Sequence, residues 1–180
     1  MMKHYLHTWK DFLYEDKSKI GFLPLDMVDF LIEKYFIKPG LLKRGYTDFS
    51  NEGFGAEAYA KYIPERHFII INSEKDLEIY KWIKVILHEI QHANQHVSWI
   101  KSLAYREQFT KGTKLPPNIE LNNLSFANLQ IFWNKVYEYE EDPSEIDAIE
   151  FSNKHHKDAV DMVLAREKEL NSRKGNIKTK

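Results

Sequence analysis

The chain has no cysteine in its 180 residues. That absence excludes disulfide frameworks, thiol nucleophiles and cysteine-rich zinc ribbons together, and it agrees with a reducing compartment. Glycine (7) and proline (6) are scarce, which excludes the compositions of flexible linkers and fibrous proteins. Long apolar runs are missing, and Met1-Met2-Lys3-His4-Tyr5-Leu6-His7 lacks the apolar core of a secretory signal. The sequence therefore predicts a cytoplasmic protein with no membrane partner. An excess of charge is missing as well: 26 basic and 27 acidic side chains leave a formal charge of −1. So balanced a chain offers no field for holding nucleic acid.

What is present is the composition of one folded domain, with 43% hydrophobic and 29% charged residues, enough to exclude wholesale disorder. Helical spacing of Tyr5, Leu6, Trp9, Phe12 and Leu13 predicts a first helix over 3–16, and Pro24 opens a second through Phe36, ended by Pro39-Gly40. Residues 40–54 read as a loop with several turns. Alternation over 56–61 and the β-branched run Phe68-Ile69-Ile70-Ile71 predict two antiparallel strands turned at Pro64-Glu65. Ser73 to Asp76 has the form of a capping box, and the helix it opens runs towards residue 110. Unbroken, that helix would be roughly 55 Å long, too long for so small a domain, so a kink or break is expected. Ser125 starts a further helix, and Asp142-Pro143-Ser144 caps the last one. The basic, apolar-poor stretch from Asn171 to Lys180 reads as a frayed tail on a single domain over 1–170.

The chemistry concentrates in Val85-Ile86-Leu87-His88-Glu89-Ile90-Gln91-His92-Ala93-Asn94. Two histidines four apart share one helix face and can meet one zinc ion, and Glu89 on the same face can act on a water as general base. Val85, Ile86, Leu87 and Ile90 make the helix apolar nearly all round. Such a helix is buried, and buried histidines need partners. His4 and His7 carry no comparable pattern and read as solvated or half-buried side chains, and His67, at the start of the Phe68 strand, reads as a surface or turn residue.

A catalytic zinc site takes three protein ligands. His96 follows on the same helix, but three histidines over eight residues rise about 12 Å and cannot converge on one ion. Gln95 and Ser98 stand where a longer motif with a glycine turn and third histidine would need those residues, so that pattern is excluded. The acidic cluster Glu138, Glu140, Glu141, Asp142, Glu145, Asp147 and Glu150 remains. Most of it reads as a solvated face. Glu145 stands apart in the first turn of a capped helix, with small Ala148 beside it to allow close helix packing; Asp147 points away and suits a cap or supporting role.

Together, the strand Phe68 to Asn72, the stretch Val85 to Ala93 and the Glu-x-x-Ala at Glu145 to Ala148 resemble the minimal gluzincin-type zinc metallopeptidases. That group includes the ImmA/IrrE-like proteins and related phage or prophage proteins. The resemblance covers about residues 55–155 and leaves the N-terminal helical pair in 1–40 unassigned. It implies an α+β, mostly helical, zincin-like fold, with a small antiparallel hairpin beside the motif helix and a second ligand-bearing helix. It also implies Zn²⁺ held by His88, His92 and Glu145, with Glu89 as base in peptide hydrolysis. The chain departs from the pattern at Asn94, where a hydrophobic residue is usual, and at Ile149, where an acidic one is frequent. Such hydrolysis also calls for a donor to the carbonyl oxygen. Tyr137, Tyr139 and His156 are candidates; His156 lies roughly 16 Å along the helix from Glu145, which favours the tyrosines. The competing reading is a non-catalytic interaction protein in which zinc only staples two helices.

Overall fold

A computed structural model describes residues 25–49 and 58–175. The helix predicted over 3–16, with its two histidines, lies outside them. In chain order come α1 (Leu25–Tyr35), β1 (Lys43–Thr47), β2 (Ala60–Ile63), β3 (Phe68–Asn72), α2 (Ile79–Lys101), α3 (Leu103–Phe109), α4 (Phe126–Val136) and α5 (Pro143–Gly175). The architecture is mostly helical α+β. The last helix runs to Gly175, past Asn171 where the sequence predicts a tail.

The three strands form one mixed sheet in the order β1-β3-β2. β3 is central, and Ile69 to Ile71 are buried, as β-branched residues covered on both faces should be, with Asn72 buried at its end. β2 pairs with it antiparallel, with Tyr62 opposite Ile69, across a short 3-10 turn at Pro64–Arg66. This is the predicted hairpin. The third strand corrects the reading of residues 40–54 as loop, because β1 pairs parallel with β3. Lys43-Arg44-Gly45-Tyr46-Thr47 lacks the alternation that marks a strand, and its pairing comes from β3 rather than from its own pattern. At Gly45 a Cβ would lie 3.0 Å from the Phe68 ring, closer than ordinary contact.

The predicted capping box at Ser73 is also corrected. The Ser73 N–H donates to Thr47 O, and the Glu74 N–H donates to the Asn72 side chain, so both groups extend the sheet end and its turn. The helix begins only at Ile79.

α2 is the spine of the molecule. Trp82, Ile83, Ile86, Leu87, Ile90, Ala93 and Val97 join Met27, Val28 and Leu31 of α1, Ile69 and Ile71 of β3, and Ala159 and Val163 of α5 in the main core. Ala148, fully buried, is small enough to let the start of α5 approach α2 closely. A second core forms around Trp99, Leu124, Phe126, Leu129 and Trp133. The expected break falls at Ser102, whose backbone turns extended and whose side chain accepts from the Tyr105 N–H, capping α3. Ser125 caps α4 in the same way. Asp142 Oδ1 caps α5 by accepting from the Ser144 N–H at 2.8 Å and the Ser144 hydroxyl at 2.6 Å. Among the described residues no helix is long and apolar enough to cross a membrane.

Candidate metal centre

The middle of α2 and the first turn of α5 bring three potential ligands together. His88 Nε2 lies 3.0 Å from His92 Nε2 and 3.0 Å from Glu145 Oε2, and His92 Nε2 lies 3.4 Å from Glu145 Oε1. The two histidines meet because α2 turns them onto one face, their rings edge to face at 4.7 Å between centroids. Glu145 meets them because Asp142 starts α5 where Ala148 lets it pack. Zinc bonds of about 2.0–2.2 Å in tetrahedral array place ligand atoms roughly 3.4 Å apart, so spacings of 3.0–3.4 Å fit this donor set. His88, His92 and Glu145 form a group that could hold a metal ion.

The electrostatics of the three groups interlock. Burial works against a charged His92, but the Glu145 hydrogen bond and the charges of Glu89 and Glu145 outweigh it and push the ring up to about 9. Burial likewise raises Glu145, yet hydrogen bonds from His88 and His92 hold it far below the usual carboxylate range. Without a cation His92 therefore holds a proton against the ionised Glu145 carboxylate. A metal bound there must displace that proton, so its binding releases a proton and depends on pH.

Glu89, buried beside this group, accepts from the Tyr62 N–H of β2 at 2.6 Å through Oε2. Desolvation raises its pKa, against the opposing pull of His92, His88 and the Tyr62 N–H. A raised carboxyl beside a potential metal suits a group that must both take and return a proton.

Behind the potential ligands runs a chain of amides, Asn94 and Gln95 buried and Gln91 half-buried. Gln95 lies 3.0 Å from His92 Nδ1 and donates to Ser144 O and Asp147 Oδ2. Gln91 also donates to Asp147 Oδ2 and accepts from Asn94. Asn94 in turn donates to Tyr35 O and accepts from the Ile37 N–H, closing the end of α1. The polar residue at 94 is thus a helix-terminating clasp, and Asp147 has the supporting place that its direction on α5 suggests.

A second histidine pair lies one turn further along α2. The Tyr62 hydroxyl lies 2.9 Å from His67 Nδ1 and 2.9 Å from His96 Nδ1. The His67 and His96 rings are stacked at 5.1 Å with an interplanar angle of 23°. Both Nδ1 atoms meet at the Tyr62 hydroxyl, which makes this a hydrogen-bonded staple between β2 and α2. His67 sits at the turn, as the sequence suggests, with a left-handed φ of 46°. Burial, and then the nearby His67, push His96 down to about 4, against a smaller opposing effect of Glu65.

The three proposed oxygen donors separate. Tyr139 is largely exposed, and burial of its hydroxyl and the nearby Glu145 charge raise its pKa. The Tyr137 hydroxyl accepts from the Lys114 N–H, and its ring packs against the second core. His156 lies against Tyr80 O, remote from the ligands, as helix geometry requires. Sequence reasoning missed Gln95, Asn94 and Tyr62. Gln91 and Gln95 on the buried motif helix were the available signal, since buried amides must find partners. Compared with protein-family models, curated proteins and solved structures, the chain matches none.

Proposed function

We propose that this protein is a zinc-dependent peptidase with a zincin-like active site. The observation that carries the reading is the juxtaposition of Glu89 with the His88, His92 and Glu145 group, its carboxylate fixed by the Tyr62 N–H. Zinc held there would polarise a peptide carbonyl and lower the pKa of a coordinated water. Glu89 takes a proton from the attacking water through the oxygen not tied to Tyr62, and its raised pKa lets it hold that proton and pass it to the leaving amine. Tyr139, beside Glu145, is the side chain in reach to donate to the attacked carbonyl oxygen.

An extended peptide is the substrate that the surroundings favour. β2 is an edge strand: Tyr59 O bonds β3 while the Tyr62 N–H points the other way, so alternate backbone groups face the site. Such an edge can add a strand and hold it beside the ligands. The reading of zinc as a mere staple needs a further ligand to close the coordination shell. The two residues suited to that are engaged elsewhere, Asp147 by Gln91 and Gln95, and His96 by Tyr62.

The test is a pair of assays on Glu89→Gln. This variant keeps the Tyr62 bond and the ligands, so zinc content should match wild type while hydrolysis of an unstructured protein such as casein falls at least ~100-fold. Undiminished hydrolysis, or a wild type that binds zinc and cleaves no peptide in a diverse library, contradicts the enzyme reading.

A further inference from the structure

Gln95 is fully buried and faces His92 from one turn further along α2. The direction of its amide follows from its other two neighbours. Ser144 O at 2.9 Å and Asp147 Oδ2 at 2.7 Å are both acceptors, and only the NH₂ end can serve both. Oε1 is thereby turned to His92 Nδ1, 3.0 Å away, and a carbonyl oxygen there requires that Nδ1 carry the hydrogen. The neutral ring is then left with its lone pair on Nε2, the atom 3.0 Å from His88 Nε2 and 3.4 Å from Glu145 Oε1. Asp147 Oδ2 is itself held by a second amide donor, Gln91 Nε2 at 2.7 Å. Gln91 Oε1 accepts from Asn94, which clasps the end of α1. Every amide in the series has its direction set by the next. His88 has no such backing: among the described residues no protein group bonds its Nδ1.

We propose that Gln95, locked by Asp147, is the positioning residue for His92, holding the ring in the Nδ1–H form with Nε2 aimed at the metal. The charge of Asp147 reaches the ligand through an amide dipole instead of by direct contact. Support for the two histidines is therefore unequal, His92 being set by the protein and His88 by the metal. This rests on the metal-site reading above.

The measurements are zinc affinity by chelator competition and proton NMR of the Co²⁺-loaded protein. In wild type one exchange-protected ligand ring N–H, that of His92, is expected. Gln95→Leu should lose that signal and weaken zinc binding about 10–100-fold. The swap Gln95→Glu/Asp147→Asn again offers His92 Nδ1–H an acceptor, itself held by the new amide, and should recover affinity to within about 10-fold of wild type. Thermal unfolding of the zinc-free proteins reports which variants fold; if Gln95→Leu does not, the swap alone decides. A folded Gln95→Leu that binds zinc as tightly as wild type and keeps the protected N–H overturns the relay while leaving the metal site standing. So does a folded swap variant more than about 100-fold weaker than wild type. A wild type that binds no zinc overturns the relay and the metal site together.

Discussion

Residue by residue, the pairing of His88 with His92 was legible because a four-residue spacing on a helix determines which side chains meet, whatever else surrounds them. Glu89 was legible for the same reason. Tyr62, Asn94 and Gln95 were not, since the role of each depends on partners far away in the chain: Glu89, Tyr35 and Asp147. His96 illustrates how burial then changes a residue's chemistry. Its pKa falls to about 4 through desolvation and the neighbouring His67, so the unfolded chain, at about 6.5, takes up the proton first. Stability from a neutral His96 is therefore full above pH ~6.5 and is lost as pH falls towards about 4. Thermal midpoints of wild type and His96→Gln should differ at neutral pH and converge across that window, because glutamine cannot titrate.

Among the elements, those with their own signal were readable. Phe68 to Ile71 is a strand by composition, and Ser125 and Asp142 are helix starts by cap chemistry. β1 was not readable, because its polar sequence becomes a strand only through parallel pairing with β3. The turn at Ser73 misled for a related reason: its N–H belongs to the sheet through Thr47. Two substitutions test these accounts. Gly45→Val should destabilise by roughly 1–3 kcal/mol in denaturant titrations, since the new side chain would meet the Phe68 ring. Ser102→Ala should cost about 1 kcal/mol by removing the side-chain cap on α3, and it should leave zinc affinity unchanged.

For the whole molecule, the main apolar core runs along α2 from Trp82 to Val97 and the second begins at Trp99, while His88 and His92 lie on the face of α2 that meets Glu145 of α5. Neither core contains a ligand, so chelation should leave the helical circular dichroism intact and lower only the thermal midpoint. Zinc at 100 times its Kd should then add about 2.7 kcal/mol of stability. The order of helix, hairpin and helices was readable from periodicity, except for β1. The packing of α5 on α2, which turns a histidine pair and a distant glutamate into one site, was indicated by Ala148 and Glu145 but is a tertiary fact. The most direct test of the account is therefore zinc stoichiometry and affinity measured side by side for wild type and Glu145→Ala. The account predicts one tightly bound zinc per wild-type chain, and at least ~100-fold weaker binding in a Glu145→Ala protein that still folds. Equal affinity in the two would show that Glu145 is not a ligand and would contradict the site described here.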